Sequence, residues 1–502
     1  MFRMPKILTV SLGLFAVTLC GCAPKAARLY RDFDFDWKFI KADPAGAQAV
    51  EFDDSTWRNV NIPHDWSIEG PYSDQWASGT GYLPGGIGWY RKTFRLDRAL
   101  QSKRIAIEFD GIYHNSEVWL NGQFLGKRPF GYISFQYDLT PYLRFGSSDN
   151  VLAVRVDHSK FADSRWYTGS GIYRHVRLCI TNPIRIDYCG TFVTTPAVNE
   201  QYATIQVQTV LTNSSTADQT LTLTLTVEDS ARRIVAIAQA KQSLAAGQSQ
   251  TVSRELAVQN PVLWSPDNPA MYTLHSTVSV NGRMIDNTTT PFGIRTFGFD
   301  PDKGFFLNGV NMKIKGVCLH HDAGCVGAAV PEKMWVRRLT AMKEIGANAI
   351  RCSHNPPAPE FLDLCDRMGF LVMDEAFDEF TPGKNKWVKG WNQGTPSRAG
   401  YNEVFEEWAV RDIQDMVRRD RNHPSIILWS IGNEIDYAND PFSHPVLGND
   451  YRPGNPPASD LTRYGTRLVE AVKALDTTRP VTAALANAAM SNAVGFGDIL
   501  DV

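Results

Sequence analysis

The sequence predicts a multidomain protein in which two antiparallel β-sandwiches precede a parallel β/α barrel. Three observations carry this reading. Up to about residue 182, short strand-like runs are punctuated by turn signals; between 184 and 295 apolar and polar residues alternate; after Phe297, apolar runs alternate with helical stripes. A chain of 502 residues also exceeds the size at which a single core stops growing, so division into domains is the ordinary outcome.

In the first unit, residues 28–183, the runs 105–109 and 116–120 are strand-like, and Asn121-Gly122 is the dipeptide that a two-residue hairpin turn demands. In the second, residues 184–295, Ile205, Val207, Thr209 and Leu211 share one face. Leu221, Leu223, Leu225 and Val227 interleave with Thr220, Thr222, Thr224 and Thr226. Period 2 means one buried and one wet face. Strands of this kind, broken by Pro261, Pro266 and Pro269, suit an immunoglobulin-like sandwich.

In the third unit, residues 296–502, the apolar runs are 313–317, 347–350, 370–373, 426–429 and 481–484. Between them Trp335, Leu339 and Met342 recur at helical spacing, as do Phe361, Leu364, Cys365 and Met368, then Ala409, Ile413, Met416 and Val417. A doubly wound sheet would alternate in the same way, but it brings a glycine-rich phosphate loop, and neither GxGxxG nor a Walker motif is present. A β/α barrel is the better fit.

The first 22 residues read as a processing segment, with Arg3 and Lys6 ahead of an apolar stretch, 7–19, too short for an ordinary membrane span. Leu19, Cys20, Gly21 and Cys22 then match a bacterial lipobox. The expectation is a lipid anchor on Cys22 and a place in the cell envelope, in the periplasm or at the outer membrane. The net charge of −2 generates no field that would draw the whole molecule to nucleic acid, and an uncharged partner fits it better. The remaining cysteines, Cys179, Cys189, Cys318, Cys325, Cys352 and Cys365, form no CxxC pair and no disulfide framework, and most read as buried thiols.

Barrel enzymes work at the C-terminal ends of their strands, so the residues that close each run are the candidates. They are His320, His321 and Asp322; then Arg351, Ser353, His354 and Asn355; then Asp374, Glu375, Asp378 and Glu379; then Asn433 and Glu434. Any one of these could be a hydrogen-bonded structural residue, but four successive strand ends repeating the pattern are harder to dismiss. Cleaving a glycosidic bond needs a protonated carboxyl beside the leaving oxygen and a second carboxylate facing the anomeric carbon. Glu434 is the best acid, because the apolar run before it should leave one of its sides dry, the setting that keeps a carboxyl protonated toward neutral pH. Asn433 can reach a sugar hydroxyl. His320 and His321 do not form a metal pair, since adjacent side chains on extended backbone diverge and no third zinc ligand is spaced for them.

These segments carry a resemblance. Pro424-Ser425-Ile426 with Trp429-Ser430-Ile431-Gly432-Asn433-Glu434 is similar to the acid/base segment of glycoside hydrolase family 2. Residues 346–356, 364–369 and Asp374-Glu375-Ala376 resemble its second and third barrel strands. Upstream, Gly88-Trp89-Tyr90-Arg91-Lys92, Val118-Trp119-Leu120-Asn121-Gly122 and residues 166–174 resemble its sugar-binding jelly-roll domain.

The resemblance implies a jelly-roll sandwich, an immunoglobulin-like sandwich and a (β/α)8 barrel. It implies a retaining β-galactosidase in which Glu434 is the acid/base. His320, His354, Arg351, Asp374 and Asn433 are assigned to substrate binding, as is Asp163, which would project from the jelly roll into the pocket. Some members bind magnesium through a Glu corresponding to Glu379, but Phe377 and Thr381 stand where polar neighbours would be, so neither a metal nor a cofactor is expected.

The implied partner is a β-galactoside or related glycan, with β-glucuronidase and β-mannosidase as rivals. A surface lipoprotein that binds glycans without hydrolysis is the alternative from another class. The family's nucleophile lies at the end of barrel strand seven, whereas residues 497–502 read as the start of strand six and no Glu follows Glu470. The expectation is therefore a barrel incomplete at its C-terminal side, a fragment of a longer protein.

Overall fold

The computed structural model describes residues 27–502. Cys22 and its lipobox lie outside the described residues.

The first sandwich stacks a four-stranded sheet, in the order Leu29–Asp32, Val176–Thr181, Arg104–Phe109, Phe135–Asp138, on a six-stranded one. The latter runs Arg58–Val60, Trp37–Ile40, Gly86–Phe94, Asn150–His158, Ser116–Leu120, Gln123–Arg128, with all neighbours antiparallel. Trp37, Tyr90, Ile107, Phe109, Val118 and Val154 fill the space between the sheets. Asn121 and Gly122 both adopt positive φ, as a hairpin turn matching strand twist requires.

The second sandwich has seven antiparallel strands, three on one sheet (Ile184–Val198, Tyr202–Asn213, Ser249–Gln259) and four on the other (Ile234–Leu244, Gln219–Glu228, Tyr272–Val280, Arg283–Phe292). Leu221, Leu223, Leu225 and Val227 bury against Ile205, Val207 and Leu211, while the intervening threonines face outward. The alternation places both faces as expected.

After a small hairpin sheet at residues 297–311 comes a sheet of five parallel strands: Gly316–Leu319, Ala349–Cys352, Leu371–Glu375, Ile426–Asn433 and Val481–Ala484. The helices Glu332–Glu344, Pro359–Met368, Phe405–Asp420, Ser459–Lys473 and Ala488–Ala493 follow them one by one. Trp335 and Leu339, then Phe361, Leu364 and Cys365, then Ala409, Ile413, Met416 and Val417 bury onto the sheet.

The strands depart from the apolar runs at their ends. The first three begin one to three residues later than predicted, because Lys313, Ile314 and Lys315 are exposed and pairing starts only at Gly316 opposite Ala349. The third and fourth run on through Glu375 and Asn433, so these polar residues belong to the strands themselves. Residues 497–499 form a single 3₁₀ turn where the sequence suggested a strand, and the Asp501 amide then donates to the Val481 carbonyl (2.9 Å). Of the six cysteines only Cys179, Cys352 and Cys365 are buried; Cys318 and Cys325 are exposed, against the expectation of mostly buried thiols.

Candidate active site at the sandwich–barrel cleft

The floor of the site is a chain of polar contacts across the C-terminal ends of strands two, three and four of the barrel. Glu375 is fully buried and its carboxylate is saturated. It accepts from Arg351 Nε (3.0 Å) and Nη2 (3.0 Å), from His354 Nδ1 (2.6 Å) and from Ser430 Oγ (2.7 Å). Such charge-assisted bonds offset the large cost of taking the carboxylate out of water.

Arg351 Nη2 also donates to Asn433 Oδ1 (2.7 Å), which orients the amide so that Asn433 Nδ2 donates to Asp378 Oδ1 (2.7 Å). Asp378 in turn receives Arg165 Nη2 (2.7 Å) and Lys384 Nζ (3.2 Å). Burial acts to raise the pKa of Asp378, but Lys384 and Arg165 outweigh it and hold the group far below the ordinary carboxylate range. The result is a fixed corner with Asn433 in the middle.

Glu434 follows immediately, beyond a strand buried at every position from Ile426 to Asn433. Its backbone turns outward at φ +43°, its N–H donates to the Ala484 carbonyl (2.6 Å), and its side chain is 44% exposed. Arg165 Nη1 lies 3.6 Å from Oε2. The carboxylate therefore faces solvent and a guanidinium rather than the apolar wall its preceding run suggested. That run packs below it: a Cβ on Gly432 would meet Ile435 Cγ2 at 2.9 Å and Phe380 at 3.2 Å, so glycine is what lets strand four pass under this corner.

The opposing wall comes from the first sandwich. The Trp166 ring lies 5.2 Å from His320 and 5.5 Å from His354, and the two histidine rings are 5.3 Å apart. Burial, reinforced by His354, lowers the pKa of His320, so it presents a neutral imidazole. Asp163 is buried behind this wall. Tyr113 OH donates to its Oδ2 (2.7 Å), and His158 Nε2 and His114 Nε2 lie 3.3 Å and 3.4 Å away. His158 and His114 overcome the burial that opposes ionisation and hold Asp163 at a pKa of about 2, so it is charged. Between wall and barrel opens a cleft of about 630 Å³ lined by His114, Asp163, Trp166, His354, Asp378 and Glu379 among others. Glu434 is not in its lining; Arg165, touching both Asp378 and Glu434, joins the two.

Of the residues nominated from sequence, Arg351, His354, His320, Asn433 and Glu434 thus meet at the barrel's strand ends, and Asp163 lies in the facing wall. Asp374 does not join them, and its assignment to substrate binding is corrected. In strand three Asp374 pairs with Trp429 and Glu375 with Ser430, so the two acids point to opposite faces. Glu375 meets Ser430 in the site; Asp374 is fully buried beside Asp420 and Arg419 in the helix layer. Glu379 accepts from the Lys386 ammonium, from the Lys384 amide (2.9 Å) and from the Asn402 amide (3.3 Å). With a cation already on it and Phe377 and Phe380 beside it, this group does not fit a divalent metal.

Sequence reasoning passed over Arg165, Lys384, His114 and His158 as site residues. Arg165 was adjacent to a motif residue, which is the one signal that could have found it. Lys384 sits in an aperiodic loop, 376–404, and the two histidines are far apart in sequence.

Comparisons with known proteins agree with this architecture. Residues 42–183 match the sugar binding domain of glycosyl hydrolases family 2, residues 184–295 match the domain described simply as glycosyl hydrolases family 2, and residues 301–495 match that family's TIM barrel domain. A β-galactosidase of Bacteroides ovatus is 46% identical over 488 residues, covering 94% of this chain and 56% of the relative. A protein of Formosa agariphila described as a putative β-glucuronidase is 41% identical over 428 residues, covering 84% of this chain and 39% of the relative. A crystal structure of a family 2 glycosyl hydrolase from Bacteroides cellulosilyticus superposes with a TM-score of 0.83 at 38% identity, covering 94% of this chain and 58% of that one. The chain spans about half the length of the curated relatives it matches.

Proposed function

The chain belongs to glycoside hydrolase family 2, and from that premise we propose that it contributes the acid/base half of a retaining exo-glycosidase that removes terminal β-linked galactose. The observation that carries the reading is Glu434: a solvent-open carboxylate at the end of a wholly buried strand, next to an asparagine locked between Arg351 and Asp378. Asn433, His354 and His320 offer hydrogen bonds to sugar hydroxyls, and Trp166 offers a face for the apolar side of a pyranose ring.

In the first step Glu434 protonates the glycosidic oxygen while a second carboxylate attacks the anomeric carbon. In the second, Glu434 takes a proton from the water that releases the sugar. Among the described residues the other acids of this corner are engaged, Glu375 by Arg351, His354 and Ser430, Asp378 by Arg165 and Lys384, and Glu379 by Lys386. The resemblance assigns the second carboxylate to a seventh barrel strand.

The test is Glu434→Gln in the whole enzyme. Substrates with poor leaving groups should lose about 10² to 10⁴ in rate, activated aryl glycosides less. Azide should restore turnover by replacing the water that no longer has its base. A leaving-group dependence unchanged from the parent overturns the acid role. The relative described as a putative β-glucuronidase supports a second reading of the sugar, and parent rates on nitrophenyl β-galactoside against the β-glucuronide separate the two.

The envelope location is likewise a proposal and rests on the lipobox. Cys22→Ser should release the protein from the detergent phase or stall its processing, and unchanged membrane association would refute it. No helix among the described residues is long and apolar enough to cross a membrane.

A further inference from the structure

We propose that Lys384 is a positioning residue for Glu434: from the connection after barrel strand three it holds the peptide bond ahead of the acid/base and so aims the carboxylate. The inference rests on the glycosidase reading of Glu434 and deepens it.

The need for such a device comes from the backbone. Glu434 sits at φ +43°, in the left-handed region where the Cβ of an L-residue crowds a neighbouring carbonyl. A residue other than glycine stays there only when its surroundings over-determine it. Here they do so at one rigid plane, the peptide between Asn433 and Glu434. Its N–H donates to the Ala484 carbonyl of strand five (2.6 Å), and its carbonyl, that of Asn433, accepts from Lys384 Nζ (2.5 Å). Held at both edges, the plane fixes ψ of Asn433 and φ of Glu434 together, and with them the direction in which the carboxylate leaves the chain. The bond to Ala484 is backbone to backbone, so Lys384 supplies the only side chain of the pair.

Lys384 is itself firmly placed. Its side chain is 1% exposed, Asp378 supplies the counter-charge (3.2 Å), and its amide donates to Glu379 (2.9 Å). The next residue grips the far side of the same turn, where the Asn385 amide donates to both oxygens of Asp440 (3.0 Å and 3.1 Å). Residues 384 and 385 thus clasp the chain before and after Glu434. The clasp is anchored on the first sandwich: the Ser78 amide donates to the Val388 carbonyl (2.8 Å) and its hydroxyl to the Trp387 carbonyl (2.9 Å).

The experiment is a double-mutant cycle in the whole enzyme. Lys384→Met keeps the length of the side chain and removes the donor, and Asp378 retains Arg165 as its cation. On substrates with poor leaving groups kcat should fall about 10- to 100-fold, with KM within about threefold and a smaller loss on activated aryl glycosides. In the Glu434→Gln background the same change should cost nothing further, because a residue that acts through Glu434 has nothing left to position. A merely structural role would lower both backgrounds alike. Equal losses in the two backgrounds therefore overturn the proposal, as do parent rates in Lys384→Met. Asp440→Ala loosens the other arm at a half-buried position and carries the same test should the methionine variant not fold. Its loss should be smaller and again confined to enzyme that has Glu434. If Glu434→Gln leaves the leaving-group dependence unchanged, the acid reading falls and this proposal with it. If Glu434→Gln behaves as an acid variant while the losses add, the positioning role alone falls.

Discussion

Asp374 shows at single-residue scale what a polar side chain costs when it faces away from the site. It is fully buried and no donor reaches either of its oxygens, while its neighbour, Asp420, already accepts two bonds from Arg419 (2.6 Å and 2.7 Å). Burial, then the charge of Asp420, push its pKa well up, which favours the protonated form of Asp374 in the fold. The folded state therefore keeps a proton that the unfolded chain releases near pH 4. The stability linked to this group is complete below that pH and is lost as pH rises toward the folded-state value. Asp374→Asn keeps the shape and a donor without the titration. In urea melts from pH 4 to pH 8 it should fall within about 1 kcal/mol of the parent at the acid end and gain on it steadily as pH rises. Asp374→Ala, which removes the donor, should cost about 1–3 kcal/mol. Parallel stability curves for the parent and the Asn variant would show that Asp374 is ionised in the fold.

Among elements, two strands of the second sandwich were legible, Ile205 to Leu211 and Leu221 to Val227, because one wet face forces an alternation that the latter displays without interruption. The barrel strands were legible as runs but not at their ends. A parallel strand covered on both faces is apolar throughout, so its pattern does not say which residue looks inward. Asp374 and Glu375 were consequently nominated together, although period 2 allows only one of them into the site. Register against Trp429 and Ser430 decides which, and register is a tertiary fact. The long connection 376–404 was legible only at its start, where Asp378 and Glu379 were nominated. Lys384 and Lys386 act through ion pairs to Asp378 and Glu379 within the connection itself, and Arg165 reaches Asp378 from the first sandwich; no periodicity announces any of them. The same holds for His114 and His158, which only the folding of the sandwich makes neighbours. Glu434 and Asn433 were found because the run before them ends abruptly in two polar residues.

At the scale of the whole molecule, the first sandwich is fastened to the barrel by buried polar contacts. Arg128, on the edge strand Gln123–Arg128, donates to Asp412 (2.5 Å) and Asp415 (2.7 Å) of the helix Phe405–Asp420. Arg174 reaches the Pro356 carbonyl (3.0 Å), and the Ala328 amide donates to Asp65 (2.9 Å). Burial raises Asp412 to about 6 even though Arg128 pulls the other way. Arg128→Ala should cost about 3–5 kcal/mol, the usual consequence of leaving a buried charge without its partner. The loss should deepen as pH rises through the range in which Asp412 ionises. Scanning calorimetry should show the docked structure melting earlier, with the sandwich and barrel transitions drawing apart, and an unchanged profile would show that this ion pair does not hold the domains together.

The same junction sets a schedule for the chain as it is made. Phe130 and Tyr132 are buried in the finished protein, but their covers are His321, Phe377 and Tyr401, which belong to the barrel. A ribosome adding about 5–20 residues per second needs on the order of 10–50 s to travel from one set to the other. From the completion of its last strand at Thr181 until those residues are made, the nascent sandwich displays a bare aromatic face. It is a natural perch for a chaperone, and a stall in translation before Phe377 leaves the chain in that sticky state.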